Sequence, residues 1–139
     1  MTTFGTSLSP RFKPAVAEQI AVGFARNQEF YIAPQEDIVL NAVKKSETDF
    51  KRHEKIWKRE TQYFSSPAEK YLHPSYARII GIGHPAVALI LKSMRREPAD
   101  WFYALRAITG ANPVTQAMAG DVRKMSEAWI KWGERQGLL

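Results

Sequence analysis

Apolar positions in the C-terminal two-thirds of the chain recur every three or four residues, in runs that proline and glycine keep cutting short. Residues 73–110 show this best: Pro74, Pro85 and Pro98 each open a helix-length segment, and each segment carries one apolar stripe. In the second, Val87, Ile90, Leu91 and Met94 share a face; in the third, Trp101, Phe102, Leu105 and Ile108 do. Gly83 and Gly110 supply the backbone freedom that ends the first and third. A last helix is predicted from about Asp121 to Gln136, with Val122, Met125, Trp129 and Trp132 on one stripe and Gly137 as its stop.

Upstream, residues 36–64 contain neither glycine nor proline, so one helix of about 43 Å fits. Ser46 followed by Asp49 supports the competing reading, two helices meeting near residue 46. Ser66, Pro67 and Glu69 read as a cap, first-turn proline and capping-box glutamate for a new short helix. Val16, Ile20 and Phe24 predict a helix over 14–26, and EFYIAP, residues 29–34, is an extended connector or a strand shared with a second chain. Residues 1–13 read as a loose arm. The expected fold is all-α: an arm over 1–13, a helical extension with a long basic helix over 14–64, and a helical core over 65–139 that folds as one unit with the extension.

HPSYARIIGIG at 73–83, WFYALRAITGANPV at 101–114 and AWIKWG at 128–133 resemble the shared stretch of a group of small bacterial proteins. The resemblance covers roughly residues 56–137. The glycine and proline between HPSYARII and HPAVALIL, with the ALRAITG segment, also resemble a degenerate HEAT-type helical hairpin. It implies a stack of hairpins that binds another molecule, and it brings no catalytic residues.

With 139 residues, 45% of them hydrophobic, the chain is long enough to bury a core in one domain. Cysteine is absent, which excludes disulfides, thiolate metal sites and cysteine nucleophiles. The N-terminus lacks the apolar core of a signal peptide and no run reaches the roughly 20 apolar residues of a membrane span, so a cytoplasmic protein without membrane contact is expected. Twenty basic against fourteen acidic residues give +6, a bias toward nucleic acid or acidic proteins.

Val43-Lys44-Lys45, Phe50-Lys51-Arg52 and Trp57-Lys58-Arg59 repeat at seven-residue spacing along the long helix. An apolar seam therefore runs beside a basic one, to which Lys55 and Arg59 also belong. Its seven cations against Glu47, Asp49, Glu54 and Glu60 leave +3, enough to follow phosphates with salt-dependent affinity. The default remains a solvated face, with Val43, Phe50, Trp57 and Phe64 packed inward against the C-terminal helices and Trp129 and Trp132. The seam is too thin for a long coiled coil, though it suffices to pair two short helices in a homodimer.

His73 and His84 sit at helix starts before proline, without a second ligand at helical spacing, so turn and capping roles outweigh metal or acid–base chemistry. An enzyme would require one of them to meet a carboxylate in space. His53, among cations, reads as a surface residue. Tyr31, Tyr76, Tyr103, Arg106 and Trp132 are the candidate protein-interaction residues, because Trp, Tyr and Arg dominate interface hot spots. Trp101 and Trp129 read as core; Arg78, Arg95, Arg96 and Arg106 lie on predicted polar faces as a second basic patch or a scattered solvated surface. GIGHPAV places a proline where a phosphate-cradling loop needs free amides. The expectation is a non-enzymatic binding module without cofactor or metal: a protein-interaction, adaptor or regulatory protein, with an antitoxin or immunity-type inhibitor as one form. Nucleic-acid binding through Lys44, Lys45, Lys51, Arg52, Lys55, Lys58 and Arg59 is the alternative.

Overall fold

In a chain free of proline and glycine from Gln35 to Thr61, nothing interrupts the backbone ladder, and that whole stretch is one α-helix, α1. The structure, a computed structural model, describes residues 35–139. The expected arm over 1–13, the helix over 14–26, the EFYIAP segment and Tyr31 lie outside the described residues. The chain divides into two compact units, Met1–Val39 and Leu40–Leu139. Apart from the first five residues of α1, every described element belongs to the second.

Ser46 does not break α1. Asp49 pairs instead with Lys45 at 2.7 Å, an i,i+4 contact that supports a continuous helix. Five further α-helices follow: α2 (Pro67–Tyr71), α3 (Pro74–Ile82), α4 (His84–Arg96), α5 (Phe102–Thr109) and α6 (Val122–Arg135), with a 3-10 turn at Gln116–Met118 before the last. The described residues are thus all-α, and no single helix among them is long and apolar enough to cross a membrane.

Helix boundaries follow local chemistry. The His73 Nδ1 accepts the Ser75 amide at the start of α3, and the Asp121 carboxylate accepts the Lys124 amide at the start of α6. Ser66 departs from the expected capping box: its side chain makes no cap bond, and Pro67 alone opens α2. Gly83 has φ +82° and ψ −151°, a region open only to glycine, and there the chain turns by 119° from α3 into α4. α5 starts at Phe102, not at Pro98, because Trp101 takes a bridge-region conformation that drives its indole into the core.

The core is aromatic at one end. From α1, Phe50 and Trp57 reach Trp101 with ring centroids at 5.8 and 4.3 Å, and Trp57 meets Tyr76 at 5.2 Å. The seam of α1 therefore packs on Trp101 and Tyr76, not on Trp129 and Trp132, which pair edge to face at 5.2 Å. Val43 and Phe64, expected inside, are 46% and 39% exposed, and Val122 also faces solvent. Aliphatic residues of α4 (Val87, Ile90, Leu91, Met94) fill the centre, with α6 close enough that a Cβ on Gly133 would meet Leu91 Cδ1 at 2.5 Å.

Candidate nucleic-acid interface

The same periodicity that buries Phe50 and Trp57 puts the cations of α1 on its outer side. Lys44, Lys51 and Lys55, at positions i, i+7 and i+11, are exposed, and among the described residues none has a carboxylate within 4.0 Å. From Lys44 to Lys55 the helix rises about 16 Å.

The other four cations of the stripe are differently placed. Lys45 and Arg52 take opposite oxygens of Asp49, at 2.7 and 3.8 Å. The hydrogen bond from Lys45 holds the Asp49 carboxyl below the usual carboxylate range. Lys58 lies between Glu54 at 3.5 Å and Glu97 at 3.1 Å, and Arg59 bonds Glu60 at 2.9 Å. Glu54 is the most enclosed of these acids. The fully buried Ser93 hydroxyl donates to it, and Arg96 stands 3.9 Å from its second oxygen. Lys58 thus counters a half-buried charge and belongs to the packing as much as to the surface.

Beside this face, α1 and α3 enclose a notch of about 430 Å³ lined by Lys45, Asp49, Arg52 and His53 from α1 and by Arg78 and Gly81 from α3. His53 is not a plain surface residue: its Nδ1 shares a 3.2 Å hydrogen bond with the Ser75 hydroxyl, and burial, seconded by Arg52 and Arg78, pushes its pKa down. Sequence spacing assigned Arg78 to a second patch with Arg95, Arg96 and Arg106. That patch is dispersed, since Arg95 pairs with Glu134 at 3.0 Å, Arg96 leans on Glu54, and Arg78 joins the notch.

His73 does meet a carboxylate, the condition set for acid–base chemistry. Its Nε2 lies 2.7 Å from Glu60 Oε1, while its Nδ1 accepts the Ser75 amide. With Nδ1 an acceptor, Nε2 carries the proton and donates it to Glu60, so neither ring nitrogen is left for a substrate. No group of three or more His, Asp or Glu side chains among the described residues is placed to hold a metal.

The candidate interaction residues do not converge. Tyr76, expected at a surface, is fully buried: its hydroxyl donates to the Asp100 carbonyl and accepts the Ala104 amide, and burial pushes its pKa up. Tyr103 is 44% exposed and stacks on Tyr71 at 5.2 Å, whose hydroxyl donates to Asp100. Arg106 is exposed one turn away, and Trp132 is half-buried against Trp129. Compared with known protein families, curated proteins and solved structures, the chain matches none.

Proposed function

We propose that this protein is a non-enzymatic module that binds nucleic acid through its phosphate backbone, with the outer face of α1 as the contact surface. The observation that carries the reading is the line Lys44, Lys51, Lys55, exposed and without acidic partners among the described residues. Its rise of about 16 Å matches roughly five phosphates of one duplex strand at 3.4 Å each. A cation already neutralised by a carboxylate releases few counterions on binding, so these three contribute more than Lys58 or Arg59. Glutamate at Lys44, Lys51 and Lys55 tests this against labelled duplex DNA and single-stranded RNA at low salt. Loss of binding is expected, while glutamine at Arg59 leaves most of it; unchanged binding in the triple variant would refute the reading.

A protein partner is the second reading, supported by Leu40 and Val43, both close to half exposed on α1. Serine at both positions would then abolish capture of that partner and leave phosphate binding intact.

A further inference from the structure

We infer that the notch between α1 and α3 is a seat for a phosphomonoester carried on a nucleotide-sized body. This site is separate from the outer line of lysines and does not rest on the reading of that line. Lys45, Arg52 and Arg78 against Asp49 leave a charge of +2 in the notch, which matches a phosphomonoester near its dianionic state and exceeds what one backbone diester needs. Asp49 holds Lys45 and Arg52 on its two oxygens, so both cations are positioned at the rim. Arg78 has no carboxylate within 4.0 Å among the described residues, and its fork is left for two phosphate oxygens. His53 lines the same space and, once its Nδ1 is engaged by Ser75, has its second ring nitrogen as a further donor.

Gly81 is the independent observation. It lies in the last turn of α3, where glycine is destabilising relative to alanine, and it has an ordinary helical backbone. A Cβ there would meet nothing within 4 Å, so neither packing nor backbone strain calls for glycine. Together with Ala77 and Ile82 it forms a low apolar floor beside the cations, and the cavity of about 430 Å³ is several times a phosphate group. A sugar or base rests on that floor while the phosphate faces Arg78.

Titration calorimetry at low salt with adenosine and uridine 5′-monophosphates, and with the nucleosides as controls, tests the seat on the full chain. Saturable binding of the monophosphates and none of the nucleosides is expected. Arg78→Ala, which removes an exposed side chain, and Gly81→Leu, which fills the floor, each weaken it roughly tenfold or more, the loss of about one charged hydrogen bond. Gly81→Leu does so with an unchanged or higher Tm. Glutamate at Lys44, Lys51 and Lys55 leaves monophosphate binding in place, which separates this seat from the outer face. Oligonucleotides of one sequence, with and without a terminal phosphate, identify the carrier: a preference for the phosphorylated strand makes it a strand end, and equal binding makes it a free nucleotide. Absence of monophosphate binding, or equal affinity in Arg78→Ala and Gly81→Leu, overturns the inference.

Discussion

Glu60 in the last turn of α1 is joined to His73 at the cap of α3 by a 2.7 Å hydrogen bond, across 13 residues of chain and the whole of α2. One imidazole thereby caps a helix and ties it to another. His73→Ala removes both, and the cap alone is worth about 1 kcal/mol. The hydrogen bond from His73, then that from Arg59, holds Glu60 below its ordinary value of 4.5. The folded state keeps Glu60 ionised where the unfolded chain takes up a proton, so its contribution is present above that value and is lost as pH falls through the lower, folded one. Urea unfolding of Glu60→Gln is expected to show a shallower loss of stability below pH 4.5 than the parent.

A second pH window belongs to His53. Burial first, then Arg52 and Arg78, depress its pKa from 6.5, with Asp49 opposing. As pH falls below 6.5 the unfolded chain binds a proton before the folded one does, and stability declines down to the folded pKa. Thermal unfolding of His53→Gln between neutral and mildly acidic pH is expected to remove this decline; a slope equal to the parent's would exclude His53 as its source.

Tyr76 is the polar centre of an aromatic cluster. Tyr76→Phe preserves the rings but strands the buried Ala104 amide, which donates to the Tyr76 hydroxyl at 3.0 Å. A cost of about 2 kcal/mol is expected in denaturant unfolding, from an unsatisfied buried donor.

Close approach of α4 and α6 depends on Gly133. Gly133→Ala drives a methyl into Leu91, which is fully buried, and overpacking of this kind costs about 1–3 kcal/mol. Leu91→Val in the same chain is expected to recover part of the loss, so that the double variant is more stable than the sum of the singles implies.

Salt dependence measures how many cations of α1 meet phosphates. Glutamine at Lys44, Lys51 and Lys55 together is expected to reduce the slope of log affinity against log salt by about 3 for duplex DNA. Glutamine at Lys58 is expected to change it little, because that ammonium answers Glu54 and Glu97.

Elements that a few neighbouring residues determine were legible. The stripe Val87, Ile90, Leu91 and Met94 faces the core of α4 as periodicity predicts, and Gly110 ends α5 in the left-handed conformation. Phe50 and Trp57 are buried as the seven-residue seam requires, but Val43 and Phe64 carry the same pattern beyond the reach of any described core element. Tyr76 was misjudged because a tyrosine reads alike at a surface and in a core, and only Ala104 and Asp100, more than twenty residues on, decide it. The notch was illegible for a similar reason: Lys45, Arg52 and His53 meet Arg78 only because α1 crosses α3. Cations on the outer side of α1 were visible, whereas which of them are neutralised depended on Glu97, a residue of a distant turn.

The four tryptophans fall into two pairs, Trp57 with Trp101 at 4.3 Å and Trp129 with Trp132 at 5.2 Å. Indoles this close couple their electronic transitions, so each pair gives a near-ultraviolet dichroic band whose sign and strength depend on its own geometry. The first band exists only while α1 lies against the segment before α5, and the second arises within α6 alone. The polypeptide thus carries two optical labels without any added dye, one for the docking of its longest helix and one for the integrity of its last.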